Sequence, residues 1–289
     1  MIKTIKYFLQ SIIIYFFFII IKLIGLRLSR IFFSYLFNKM GPLIKSNQVI
    51  DENLYKFMGV YNEDKKKNIK FKMWANYGKI FVEYLFLKRF RNNNSHIEIK
   101  GEEILKEIIK KNKPVIFVSG HFANFELMSM ELTKRNIKLA TIYRPLNNFF
   151  LNPFMEYVRR TYVCKNQIKK GIAGVKEAIN YIQNNFSIAL MVDQRVSEGK
   201  RFPFFDSMAL TTTLPSQLAI KYQLDIVPIY IARKKNDDFE IEIFKPIKIS
   251  NLNDAETNKL DLTIQLNKIV EEMISKDPGQ WIWTHNRWK

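Results

Sequence analysis

Val115-Ile116-Phe117-Val118-Ser119-Gly120-His121-Phe122-Ala123-Asn124-Phe125-Glu126 runs from a short apolar stretch through a glycine to a histidine and a carboxylate five positions apart. The apolar stretch reads as a strand, and Gly120 permits a tight turn at its end. The spacing of Phe125, Leu127, Met128 and Leu132 predicts a helix beginning near Asn124, with Asn124 as its N-cap. On one continuous helix His121 and Glu126 would sit roughly 140° apart around the axis. The two groups therefore meet only if His121 lies in the loop before the helix, with Glu126 reaching back from the first turn. A neutral imidazole beside a carboxylate is a ready general base. The plainer alternative is a core histidine and a solvated glutamate on the next helix.

Outward from this stretch, the pattern predicts strands at 97–100, 115–118, 139–143, 188–192, 226–232 and 239–244. Helices are predicted at 124–134, 152–160, 172–184, 213–222 and 257–275. Alternation of this kind argues for an α/β sheet flanked by helices, with ligands at the carboxyl ends of the strands. Gly120-His121, Arg144 and Asp193-Gln194 each follow a predicted strand, so three stretches are expected to converge on one cleft. Residues 44–100 read as helical and charged, ending in a loop at 88–94. No internal repeat or low-complexity tract interrupts the chain.

At 289 residues the chain suits one main domain with appendages, and a net charge of +19 predicts anionic partners. Lys and Arg are scattered from end to end rather than gathered in a stripe, which sets nucleic acid aside in favour of phosphorylated lipid and an anionic leaflet. Residues 7–26 are largely apolar, and twenty residues at helical rise cross a bilayer. Lys22 lies near one end, where its ammonium reaches the interface. No small-x-small cleavage site follows the run, so it reads as a single membrane anchor rather than a cleaved signal; a buried core helix is the competing reading. Lys3 and Lys6 before the span, Arg27, Arg30 and Lys39 after it, and the basic remainder place the body in the cytoplasm. The stretch 31–37 is expected either to lie along the bilayer or to pack on the domain, up to a break at Gly41-Pro42.

Several chemistries are absent from the sequence. It contains no Gly-x-Ser-x-Gly elbow, Gly-x-Gly-x-x-Gly fingerprint, Walker loop or His-Glu-x-x-His pair. One cysteine, Cys164, leaves no internal disulfide and no four-cysteine zinc site, and nothing around it suggests a nucleophile. With no activated serine or cysteine, no covalent acyl-enzyme is expected, and no metal. Gly171-Ile172-Ala173-Gly174 reads as the start of a helix.

The segment His121 to Glu126 fits the His-x4-Asp/Glu signature of glycerolipid and lysophospholipid acyltransferases. Its surroundings resemble the lipid A biosynthesis lauroyl/myristoyl acyltransferases, which acylate a Kdo-bearing lipid A precursor. Trp74-Ala75-Asn76-Tyr77-Gly78 with Glu83-Tyr84 is similar to that family's helix before the motif, and Lys113 to Gly120 to its strand leading in. Tyr143-Arg144-Pro145 with Asn147-Asn148 resembles its second block, and Val192-Asp193-Gln194 with Pro203-Phe204-Phe205 its third. Gln280 to Trp288, containing Trp281, Trp283, His285, Arg287 and Trp288, resembles its C-terminal signature. One position departs: glycine usually follows Pro-Phe-Phe, and here the residue is Asp206, which puts the loop's backbone geometry in question.

The resemblance implies an α/β acyltransferase-type mixed sheet over 101–289, a helical lead-in at 41–100 and a membrane anchor with juxtamembrane segment at 1–40. It implies an O-acyltransferase using acyl carrier protein as the thioester donor, an anionic lipid A precursor as acceptor, no other cofactor and no nucleic acid. The expected location is the inner membrane, single-pass, with the catalytic domain on the cytoplasmic side. His121 is expected as general base and Glu126 as the carboxylate that orients it. Arg144 would hold an acceptor phosphate or the oxyanion, with Asp193 and Gln194 beside the site and the tryptophans packing the C-terminus on the core. Two other readings stand beside this one: a lysophospholipid or glycerol-3-phosphate acyltransferase using acyl-CoA, and a non-catalytic, basic, membrane lipid-binding protein.

Overall fold

A computed structural model describes residues 2–59, 62–249 and 255–289, with 255–257 by backbone alone. The apolar N-terminus forms α1 (Ile2–Ile44), which is long and apolar enough to cross a membrane. It breaks at Gly25, where φ is 78° and ψ is 172°, values outside any helix. The break folds the two arms together. Phe17 and Phe33 would lie about 24 Å apart on a straight helix, yet their rings meet edge-on with centroids 5.5 Å apart. The first arm, 2–24, turns Ile5, Leu9, Ile12, Phe16 and Leu23 outward and exposed, and packs Phe18 against Phe81 and Phe154. The stretch 31–37 is helical and packs on the domain through buried Phe33, and the helix continues through Gly41-Pro42 instead of ending before them.

The charged lead-in is helical as expected up to residue 92, but a helix covers most of the stretch 88–94 that reads as a loop, and residues 97–100 already belong to the main sheet. The lead-in comprises α2 (Asn47–Met58), capped by Ser46, α3 (Glu63–Glu83), capped by Asn62, and α4 (Leu87–Asn92). Gly78 lets α3 lie directly on α1, because any Cβ there would overlap the Phe33 carbonyl. Next come β1 (Ile97–Lys100), α5 (Glu102–Lys111), β2 (Ile116–Ser119), α6 (Glu126–Lys134) and β3 (Leu139–Tyr143). The chain continues through α7 (Asn152–Val158), β4 (Asn166–Lys169), α8 (Ile172–Gln183) and β5 (Ser187–Met191). A hairpin of β6 (Lys200–Phe204) and β7 (Ser207–Thr211) precedes α9 (Leu214–Tyr222), β8 (Ile226–Arg233), β9 (Phe239–Ile243) and α10 (Ala255–Lys276).

The main sheet has seven strands in the order β1-β9-β8-β2-β5-β3-β4, and only the β8–β9 pairing is antiparallel. The expected α/β class holds, as a mixed, mainly parallel sheet. Its central strands are apolar on both faces, as strands between helix layers must be: every residue of β2 is buried. The sequence reading did not place α5, β4 or the β6–β7 hairpin, although Ile104, Leu105, Ile108 and Ile109 do recur at helical spacing in α5. The four residues of β4 are too few to show alternation, and Pro203 inside β6 argues against a strand except in a peripheral hairpin such as this one.

At the tip of that hairpin Phe205 and Asp206 have φ of 47° and 55°. Asp206 therefore takes the left-handed conformation that glycine adopts freely, and the loop keeps a glycine-type turn despite the departure. Gly171 caps α8. Cys164 is buried, and burial pushes its thiol up to about 11, so it is inert at neutral pH.

Candidate active site

Sheet register builds the site. Ser119 at the end of β2 pairs with Met191 at the end of the parallel neighbour β5, and the Val192 amide donates to the Ser119 carbonyl at 2.9 Å. Two residues further along each strand, His121 and Asp193 stand side by side. The Asp193 carboxylate accepts from His121 Nδ1 at 2.8 Å, from the His121 amide at 2.8 Å and from Trp281 Nε1 at 2.8 Å. Gly120 permits this approach, since a Cβ there would lie 2.7 Å from the Phe122 ring and 3.2 Å from Asp193 Cγ.

Burial alone would raise the Asp193 carboxyl, but its three donors, the His121 imidazole foremost, outweigh it and hold the group at about 2. It is therefore an anion at any working pH and can only accept. That fixes the proton of the neutral imidazole on Nδ1 and leaves the Nε2 lone pair available. Gln194 Nε2 lies 3.4 Å from that nitrogen, a long contact that a substrate hydroxyl can replace.

The expected His121–Glu126 pair does not form. Helix α6 begins at Glu126, but Phe125 occupies the N-cap and Asn124 turns away to donate from Nδ2 to Glu83 at 2.9 Å. Between His121 and Glu126, Ala123 adopts φ 42°, a left-handed kink for a non-glycine residue, and its amide donates to the Gln280 carbonyl. The kink separates the two ends of the motif. Glu126 instead accepts from Tyr84 Oη at 2.9 Å and pairs with Arg159, with Nη2 2.6 Å and Nε 2.8 Å from the same oxygen. In this structure the carboxylate bonded to His121 is Asp193. Burial and the Glu126 charge keep Tyr84 protonated, and Arg159, though burial opposes its charge, is held cationic by Glu126 and Tyr84.

The loop rests on a second buried cluster. Glu83 is fully buried and accepts from Arg30 Nε at 2.8 Å, from both terminal nitrogens of Arg233 and from Asn124. Arg233 Nε donates to Asn76 at 3.1 Å. The second arm of α1, α3, β8 and the His121 loop are thereby tied to one carboxylate.

His121 and Gln194 open onto a cavity of about 570 Å3 at the carboxyl ends of β2, β3 and β5, within the usual range for a ligand site. Arg144, which follows β3, lines it and has no ion-pair partner among the described residues. The three stretches expected to converge, at His121, Arg144 and Gln194, do line one cavity, with Asp193 buried behind His121. Met128, Ile142, Val163, Leu190 and Leu214 supply apolar wall, and Lys45, Arg159, Lys170 and Arg195 supply further cations. Sequence reasoning gave no role to Arg159 or His285. Arg159 carries no motif, and His285 sits inside a tryptophan-rich stretch that reads as packing. The tryptophans do pack. Trp281, Trp283 and Trp288 are buried, with Trp288 Nε1 donating to the Phe204 carbonyl at 2.9 Å, while Arg287 is fully buried and donates to Thr211 and the Leu210 carbonyl.

Together these features define an α/β protein with a histidine–aspartate dyad over a cationic, apolar-walled cavity, attached to a long apolar helix. The chain belongs to the bacterial lipid A biosynthesis acyltransferase family, whose profile matches residues 2–289. Among curated proteins, lipid A biosynthesis acyltransferase 2 of Shigella flexneri is 27% identical over 187 residues, covering 64% of this chain and 58% of that protein. The lipid A biosynthesis lauroyltransferase of Escherichia coli K12 is 24% identical over 201 residues, covering 66% and 61%. The palmitoleoyltransferase of the same strain is 26% identical over 199 residues, with the same coverage. The chain thus spans about three fifths of the length of the curated relatives it matches.

Proposed function

We propose that the protein transfers a fatty acyl chain from the thioester of acyl carrier protein to a hydroxyl of a Kdo-bearing lipid A precursor. Family membership supports the reaction class, and the observation that carries the mechanism is the 2.8 Å bond from His121 Nδ1 to the Asp193 anion. With its Nδ1 proton held there, His121 presents the Nε2 lone pair to the cavity. The acceptor hydroxyl gives its proton to Nε2 as its oxygen bonds to the thioester carbonyl carbon. The tetrahedral intermediate then expels the carrier's thiolate, which takes the proton from the imidazolium. A positioned base of this kind contributes roughly 10²- to 10⁴-fold, and no acyl-enzyme is needed.

Arg144, with the other cations of the rim, suits a phosphorylated acceptor, because a guanidinium offers paired donors to phosphate. The apolar wall suits the acyl chain. The acidic carrier protein and the precursor both fit the strongly basic surface. Helix α1 would hold the protein in the inner membrane, with the catalytic domain on the cytoplasmic side where the carrier is found.

The test is mass spectrometry of a purified Kdo-bearing precursor incubated with the membrane-bound protein and acyl carrier proteins of several chain lengths, with acyl-CoA and lysophospholipid as parallel arms. Acceptor mass should rise by one acyl group with wild-type protein and not with folded His121→Ala. Transfer only from acyl-CoA to lysophospholipid, lipid binding without any transfer, or full activity in His121→Ala would each overturn the proposal.

A further inference from the structure

The C-terminal segment contributes more than packing to this site. Trp281 donates to Asp193, and four residues on His285 lines the same cavity as His121. The main chain at His285 is clamped: its carbonyl accepts from Asn53 Nδ2 at 2.8 Å and from the Arg287 amide at 2.9 Å. Asn53 Nδ2 also donates to the Trp283 carbonyl at 2.8 Å, and the neighbouring Thr284 hydroxyl bonds Tyr77 Oη at 3.0 Å. Buried polar atoms in so firmly fixed a segment ordinarily have hydrogen-bond partners. The His285 ring does not: Nδ1 is buried with no partner, and Nε2 makes no hydrogen bond among the described residues.

Burial pushes His285 down to about 4, with Asp193 opposing that shift and His121, Arg287 and Arg195 adding to it. The ring is neutral at working pH and carries one N–H. A buried orphan N–H costs more than a buried orphan lone pair, so the proton belongs on Nε2 and the lone pair on the enclosed Nδ1. His121, in contrast, keeps its proton on Nδ1 and presents a lone pair. The two histidines therefore offer the cavity opposite groups, an acceptor from one and a neutral donor from the other.

We infer that His285 is a second catalytic residue, whose Nε2–H donates to the oxyanion formed when the acceptor oxygen attacks the thioester carbonyl. This rests on the acyl-transfer reading above. In that step the carbonyl π pair moves onto oxygen as the C–O bond forms, and it returns as the C–S bond breaks. His285 gives a hydrogen bond but no proton. A neutral imidazole suits this because it would not protonate the oxyanion and trap the intermediate, and a fixed donor costs no reorganisation when charge develops.

The experiment pairs His285→Leu, which fills the volume without a donor, with His285→Gln, which restores an N–H at similar reach. Both are compared with wild type for kcat and KM, for melting temperature, and for inhibition by an acyl-pantetheine trifluoromethyl ketone that mimics the tetrahedral intermediate. His285→Leu should lose roughly 10²- to 10³-fold in kcat, the scale for one oxyanion donor. KM for carrier and acceptor should stay within about twofold, the inhibitor should weaken by the same factor as kcat, and His285→Gln should recover most of the loss. Transfer by His285→Leu at the wild-type rate, unaltered inhibitor binding, or no difference between the two variants overturns the inference. If wild type transfers no acyl chain from any carrier, the parent proposal fails instead.

Discussion

Asp193 and Glu126 are buried carboxylates beside the same loop, 1% and 7% exposed, yet they hold different partners. Asp193 faces inward along the sheet and binds an imidazole, an indole and a backbone amide. Glu126 begins α6, where a negative charge suits the helix N-terminus, and binds a guanidinium and a phenol. A carboxylate bound to histidine fixes a tautomer and a lone pair. One bound to arginine fixes a permanent charge in the cavity wall and leaves the histidine unaffected. Proximity along the chain suggested the wrong partner, because five residues containing a left-handed alanine place the side chains apart, whereas two neighbouring strands ending in register bring residues 72 apart together.

The largest separation between the two should come from Asp193→Asn, which can present its amide to Nδ1 and reverse the tautomer. Steady-state transfer should fall roughly 10²- to 10⁴-fold in kcat, the worth of the base itself, and a fall under tenfold would break the comparison. Glu126→Ala should act mainly on the fold, because Arg159 is left as an unpaired buried cation. Denaturant titration should show a loss of roughly 3–5 kcal/mol, with any kinetic defect appearing in acceptor KM, where Arg159 lines the cavity. Trp281→Phe removes one of the donors to Asp193 and should lower stability by roughly 1–3 kcal/mol, with its pH–rate profile displaced because the carboxylate holds its charge less firmly.

The last expected effect is a pH dependence of stability. His285 is lowered from 6.5 to about 4 on folding, so the unfolded chain binds more protons between those values. Its contribution is complete above pH 6.5 and is lost as pH falls toward 4. Asp193 is lowered from 3.8 to about 2, so its contribution survives to lower pH and is lost only between those values. Burial also lowers His96, which adds to the first phase. Melting temperature should therefore decline in two stages on acidification. His285→Leu should flatten the upper stage and Asp193→Asn the lower, and a single acid transition unaffected by either would contradict these assignments.

Much of this was legible in the sequence because it is local. Strands 97–100 and 139–143 coincide with β1 and β3, and the others lie within one or two residues, since apolar runs between turn residues mark strands wherever both faces are covered. The loop position of His121, the placing of Glu126 in the first turn of α6, and the convergence of His121, Arg144 and Gln194 followed from strand ends alone. What was not legible depends on pairing across the chain. The β2–β5 register that joins His121 to Asp193 has no sequence signal at either strand. The fold-back at Gly25 is hidden in an apolar run that reads as continuous. The free ring of His285 becomes visible only once its neighbours are counted.

Chemistry at His121 can be read directly, since the protein has three histidines. Imidazole ¹⁵N and ¹H NMR of histidine-labelled protein should show His121 as the Nδ1–H tautomer, with a downfield Nδ1 proton that vanishes in Asp193→Asn and persists unchanged in Glu126→Ala. Loss of that signal in Glu126→Ala but not in Asp193→Asn would contradict the account.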